Sequence, residues 1–119
     1  MATVVVMGMG AMGSVYAALL AGAGHQVHGV CLWPEHARAV AKAGLRVYGA
    51  SGDRTVRLAS VGTQVPEAHL VPARGVDLVI VASKSFDVTA AARAVAPLVG
   101  PHAVVQAIQN GIGATVDAA

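Results

Sequence analysis

The chain has 119 residues, 55% of them apolar and 12% charged, which is room for one buried core and too hydrophobic a mixture for a disordered segment. Its net charge of +2 comes from scattered Lys and Arg without a basic run, which argues against nucleic acid as a partner because phosphate neutralisation needs clustered cations. The single cysteine, Cys31, has no internal disulfide partner, and this composition fits a reducing, cytoplasmic setting. So few charges leave part of the surface thinly solvated, which anticipates a neighbouring domain or subunit and leaves room for a homo-oligomer.

Residues 2–24 carry no charge. No Lys or Arg precedes them, glycines interrupt them, and the pattern changes midway from β-branched to alanine-rich. They therefore read as part of a folded domain, with no membrane partner, rather than as a signal peptide or a membrane span.

In chain order, Thr3 to Met7 predicts a short strand apolar on both faces, as in the middle of a parallel sheet. Ala11 to Ala23 predicts a helix with Tyr16, Leu19, Leu20 and Ala23 on one face, stopped by Gly22 and Gly24. A second strand follows at Gln26 to Val30, and Pro34 opens a helix that runs to Ala43 before Gly44. Residues 45–62 alternate and contain a Gly-Asp pair, which suggests a hairpin or two short edge strands. Residues 63–76 read as loop. Val76 to Ser83 is the most apolar strand, residues 86–100 read as a helix broken late by Pro97, and Ala103 to Ile108 form a further strand before the turn at Gln109 to Gly113. Strands alternating with helices predict an α/β domain of Rossmann type, a doubly wound, mostly parallel sheet with a small β insertion, over residues 1–119. The last residues fall where another helix is expected, so the domain reads as cut at its carboxyl end.

Gly8, Gly10 and Gly13 have the spacing G-x-G-x-x-G. Alone that is weak in a glycine-rich chain; directly after a strand and directly before a helix, it fits a turn that receives a pyrophosphate. Gly8 permits the sharp turn, Gly10 close approach of backbone to phosphate, and Gly13 close packing of helix on strand. The segment Gly8, Met9, Gly10, Ala11, Met12 and Gly13 is the expected cofactor-binding turn, aided by the free N–H groups of the helix start. At the end of the second strand, where an acid would hold ribose hydroxyls or an Arg a 2′-phosphate, stand Cys31, Leu32 and Trp33. Glu35 and Arg38 follow on the helix and could serve there, with plain readings as a first-turn acid that meets the helix dipole and as a solvated face. His25, His28 and Cys31 are not read as metal ligands, because odd separations on a strand point to opposite faces.

The stretches GMGAMGSVYAALLAGAGHQV, GLRV, VIVASKSFDV and QNGIG, in this order, resemble the ketopantoate reductase family over essentially the whole chain. The resemblance implies an NADPH-binding amino-terminal domain, with NAD not excluded, and hydride transfer to the ketone of a small 2-keto acid. It also implies that Lys84 and Asn110 are functional: each binds cofactor and assists catalysis, Lys84 near cofactor phosphate and substrate carboxylate, Asn110 at the nicotinamide ribose or substrate. Both follow strands at the sheet edge where ligands lie, and each has a plain alternative, a solvated loop lysine and an Asn-Gly turn pair. Asp87 falls where the family meets adenine. The family's general-acid lysine belongs to a helical carboxyl-terminal domain that these 119 residues lack, so the chain alone is expected to bind cofactor without turnover. Two other readings stay open: a β-hydroxyacid dehydrogenase type of domain, against which the Lys84 and Asn110 motifs speak, and a non-catalytic nucleotide-sensing Rossmann module.

Overall fold

The elements follow as β1 (Thr3–Met7), α1 (Ala11–Gly22), β2 (Gln26–Val30), α2 (Pro34–Ala43), β3 (Leu45–Gly49), β4 (Gly52–Val56), β5 (Ser60–Gly62), β6 (Val76–Val81) and β7 (Val99–Ala107), with single 3-10 turns at Ala68–Leu70 and Ala96–Leu98. The structure is a computed structural model and describes residues 1–9, 11–31, 33–49, 52–82 and 93–107.

All five residues of β1 are buried, as a strand with two apolar faces requires. It lies at the centre of a five-stranded sheet of order β5-β2-β1-β6-β7, in which every pairing is parallel. Strand side chains alternate, so β1 feeds two cores. Val4 and Val6 pack with Ala17 and Ala18 of α1 and with Ala37 and Val40 of α2. Val5 and Met7 pack on the opposite face with Val79 and Val81 of β6 and with Val95 and Leu98. This is the doubly wound α/β fold expected from the sequence.

The segment after α2 is the small β insertion: β3 and β4 pair antiparallel as a separate two-stranded sheet, and Leu45 anchors it in the α1 side of the core. β5 does not belong to that hairpin. It joins the main sheet beside β2, with His28 opposite Ser60 and Val30 opposite Gly62. At the amino-terminal edge the Asp77 carboxylate accepts a hydrogen bond from Thr3 N–H at 2.8 Å and pairs with Arg74 at 3.5 Å, locking β1 to β6.

Several expected details change. Among the described side chains of α1, Ala17 and Ala18 are fully buried, while Leu19 is 49% exposed and Tyr16 and Leu20 only flank the core. The helix lies so close to the sheet that alanines fill the gap and larger side chains are pushed aside. β7 begins at Val99 rather than Ala103, because Gly100 and Pro101 continue the strand. An irregular register between Val76 and Leu78 accommodates them, at a position where β7 borders the described sheet and proline is tolerated. Of the helix expected over 86–100, residues 86–92 lie outside the described residues, and 93–95 are helical before the 3-10 turn. β6 closes at Val81, two residues before the expected end.

Candidate functional site

Three backbone hydrogen bonds gather the carboxyl ends of four strands. Gly8 N–H donates to Val30 O, Ala82 N–H to Met7 O, and Cys31 N–H to Gly62 O, each at 2.8 Å. At this edge the strand order reverses, with β2 on one side of β1 and β6 on the other. Open α/β sheets bind their ligands in the crevice that such a reversal leaves.

The chain leaves β1 through Gly8, whose φ of 106° belongs to glycine, and enters α1 four residues after β1 ends. Gly13 faces back onto this turn. A Cβ placed on it would lie 1.7 Å from Gly8 O and 3.3 Å from the Cβ of Ala82. No side chain fits there without displacing backbone, so Gly13 sets the depth at which α1 meets the end of β1. Ser14 completes the arrangement: its hydroxyl donates to Met9 O at 3.0 Å, tying the first turn of the helix to the loop before it. The sequence carries a signal for Ser14 beside the glycines, since a serine early in a helix readily bonds a nearby carbonyl.

Met9 is 5% exposed and packs in the α1 core, so only its backbone can meet a ligand. Gly10 lies outside the described residues, and Ala11 and Met12 contribute the opening backbone of α1. No acidic residue occupies the first turn of α1, which leaves the positive end of its dipole without a counter-charge from its own turn. A glycine turn of this depth, backed by that helix end, fits an anionic pyrophosphate.

Lys84, Asp87 and Asn110 also lie outside the described residues. The strands that lead to Lys84 and Asn110 end side by side, with Val81 opposite Ala107. At the end of β2, Cys31 is buried and its thiol donates to Trp33 O at 3.2 Å, whereas Trp33 is 72% exposed. Leu32 lies outside the described residues.

His25 and His28 are engaged apart from Cys31. His25 Nδ1 accepts from Ala2 N–H at 2.9 Å, and His28 Nδ1 is 2.7 Å from Ser60 Oγ. His28 is 1% exposed and its Nε2 finds no hydrogen-bond partner. Burial disfavours the charged imidazolium and lowers the His28 pKa from its ordinary value. Among the described residues no helix is long and apolar enough to cross a membrane.

The sequence matches the family described as ketopantoate reductase PanE/ApbA over residues 4–118. It is 32% identical over 108 residues to a 2-dehydropantoate 2-reductase from Aquifex aeolicus (strain VF5), covering 91% of this chain and 31% of that enzyme. It is 31% identical over 110 residues to a 2-dehydropantoate 2-reductase from Lactococcus lactis subsp. lactis (strain IL1403), covering 92% of this chain and 34% of that enzyme. Among solved structures, a PanE/ApbA family ketopantoate reductase from Ralstonia eutropha JMP134 superposes with a TM-score of 0.72 at 36% identity, covering 92% of this chain and 34% of that one. The chain thus spans about a third of the length of the relatives it matches.

Proposed function

Because the chain belongs to the PanE/ApbA ketopantoate reductase family, we propose that residues 1–119 are the dinucleotide-binding domain of an oxidoreductase that uses NADPH to reduce a small 2-keto acid, with ketopantoate the first candidate and pantothenate biosynthesis its setting. The observation that carries the cofactor reading is the closeness of Gly13 to Gly8, where a Cβ would stand 1.7 Å from a carbonyl oxygen. That contact brings the amino end of α1 to the sheet edge at the depth a pyrophosphate needs.

In this reading the turn from Gly8 to Gly13 and the opening N–H groups of α1 receive the pyrophosphate. The reduced nicotinamide, when bound, supplies the hydride that converts the ketone to an alcohol. Lys84, just past β6, brings a cation for the substrate carboxylate and the cofactor's ribose or phosphate. Asn110, just past β7, offers an amide to the nicotinamide ribose or the substrate. The developing alkoxide needs a proton, and we assign its donor to the part of the relatives' length that this chain does not span. By itself the chain binds cofactor and leaves the keto acid unreduced.

Titration of the full chain with NADPH and with NADH, read through the fluorescence of its one tryptophan, Trp33, tests this directly. Saturable binding is expected, and Gly10→Val is expected to abolish it while leaving the thermal unfolding midpoint nearly unchanged. Undiminished affinity in Gly10→Val overturns the assignment of the turn.

A further inference from the structure

The end of β2 offers no ionic group to an adenosine ribose. Cys31 is buried with its thiol bonded to Trp33 O, and neither Leu32 nor Trp33 carries a charge. The neighbouring strand and helix do offer one. A cavity of about 250 Å³ opens between α2 and the carboxyl end of β5, with Pro34, Arg38 and Ala41 on one wall and Gly62 and Thr63 on the other.

Its position matters, because Gly62 O accepts the hydrogen bond from Cys31 N–H. The β5 wall of the cavity is thereby tied to the end of β2, the place where a ribose lies in a doubly wound sheet. Its chemistry matters as well. Among the described residues that line it Arg38 is the one that carries a charge, and Glu35, a turn earlier on the same helix, is not one of them. Arg38 is exposed and makes no hydrogen bond or ion pair with any described residue. By contrast Arg57 donates to Lys42 O, and Arg74 is held by Asp77. A guanidinium with its donors unspent, a threonine in the same lining and no carboxylate among the described lining residues suit a phosphate monoester better than a pair of ribose hydroxyls.

We propose that Arg38 receives the 2′-phosphate of the cofactor in the cavity between α2 and β5, and so sets the preference for NADPH over NADH. This rests on the reading of the glycine turn as a dinucleotide site and adds the residue that distinguishes the two cofactors. A dinucleotide fold is expected to carry such an arginine near the end of β2; here the cation stands on the second turn of the following helix instead.

The test compares the full chain with Arg38→Ala and Arg38→Glu, titrating each with NADPH and with NADH at fixed ionic strength and following Trp33 fluorescence. The unsubstituted chain is expected to favour NADPH. Arg38→Ala is expected to lose roughly tenfold to a hundredfold in NADPH affinity, the range of a lost hydrogen bond to a charged group, with NADH affinity within about twofold of the starting value. Arg38→Glu should lose more for NADPH and leave NADH binding intact. Equal losses for both dinucleotides, or no loss for either, overturn the role of Arg38 while leaving the glycine turn as a cofactor site. Failure of the unsubstituted chain to bind either dinucleotide overturns both. Arg38 has no partner to lose among the described residues, so unchanged thermal unfolding of Arg38→Ala is expected and separates recognition from folding.

Discussion

At the scale of single residues, two buried positions have opposite relations to the site. Gly13 has no room for even a methyl group, since its Cβ would meet backbone at 1.7 Å rather than the movable end of a side chain. Gly13→Ala must therefore shift α1 away from β1, and an overpacked contact of this kind costs about 1–3 kcal/mol. We expect a lower urea midpoint together with loss of dinucleotide binding, and wild-type affinity in a folded Gly13→Ala protein would show that helix depth is irrelevant to the site. His28 lies within the sheet, bonded to Ser60 through one nitrogen and with the other unpartnered. Its folded pKa is depressed from the ordinary 6.5, so the unfolded chain takes up a proton before the folded one does. The contribution to stability is complete above the unfolded pKa and declines as pH falls from there toward the folded pKa. Urea midpoints should accordingly drop between neutral and mildly acid pH, and His28→Gln, which cannot titrate, should flatten that slope; an equally steep slope in His28→Gln would assign the pH dependence to other groups.

At the scale of elements, the turn between β1 and α1 is held by chemistry beyond its glycines. Ser14 Oγ donates to Met9 O, and Met9 is also anchored by its buried side chain. Ser14→Ala removes a bond worth about 1 kcal/mol and frees the turn at the point where phosphate is proposed to sit. A modest drop in stability with a larger proportional drop in NADPH affinity is expected, measured by urea unfolding and by titration on the same variant. Equal affinity before and after would confine Ser14 to a structural role. The boundaries of β1, β2 and α2 were legible because their signals are local: three successive valines, a glycine stop, a proline start. β5 was harder to read, since three residues carry no periodicity and its place is fixed by pairing with β2 across the intervening helix and hairpin. The start of β7 was hidden by Gly100 and Pro101, which punctuate a sequence yet are tolerated where the ladder is irregular. The glycine spacing made the turn visible. It could not show which helix residues would be buried, because the closeness of α1 to the sheet follows from a contact between Gly13 and Gly8 in space.

At the scale of the whole molecule, binding and chemistry separate. The described edge of the sheet offers a backbone turn and a helix end where phosphate is proposed to bind; beside it the Cys31 thiol is bonded to Trp33 O, and His28 is buried within the sheet. The chain spans about a third of the relatives' length, so a reductase built on it has the remaining two-thirds in which to place a donor. Two measurements on one sample follow from this division. Ligand that binds only the folded state stabilises it by mass action, so NADPH at a hundredfold excess over its dissociation constant should raise the unfolding free energy by about 2.7 kcal/mol. The same sample, given ketopantoate, should show no steady loss of nicotinamide absorbance. Stabilisation without turnover is the expected pair of results. Turnover dependent on ketopantoate would place the proton donor within these 119 residues, with Lys84 the first to substitute, and absence of stabilisation would remove the cofactor from the glycine turn altogether.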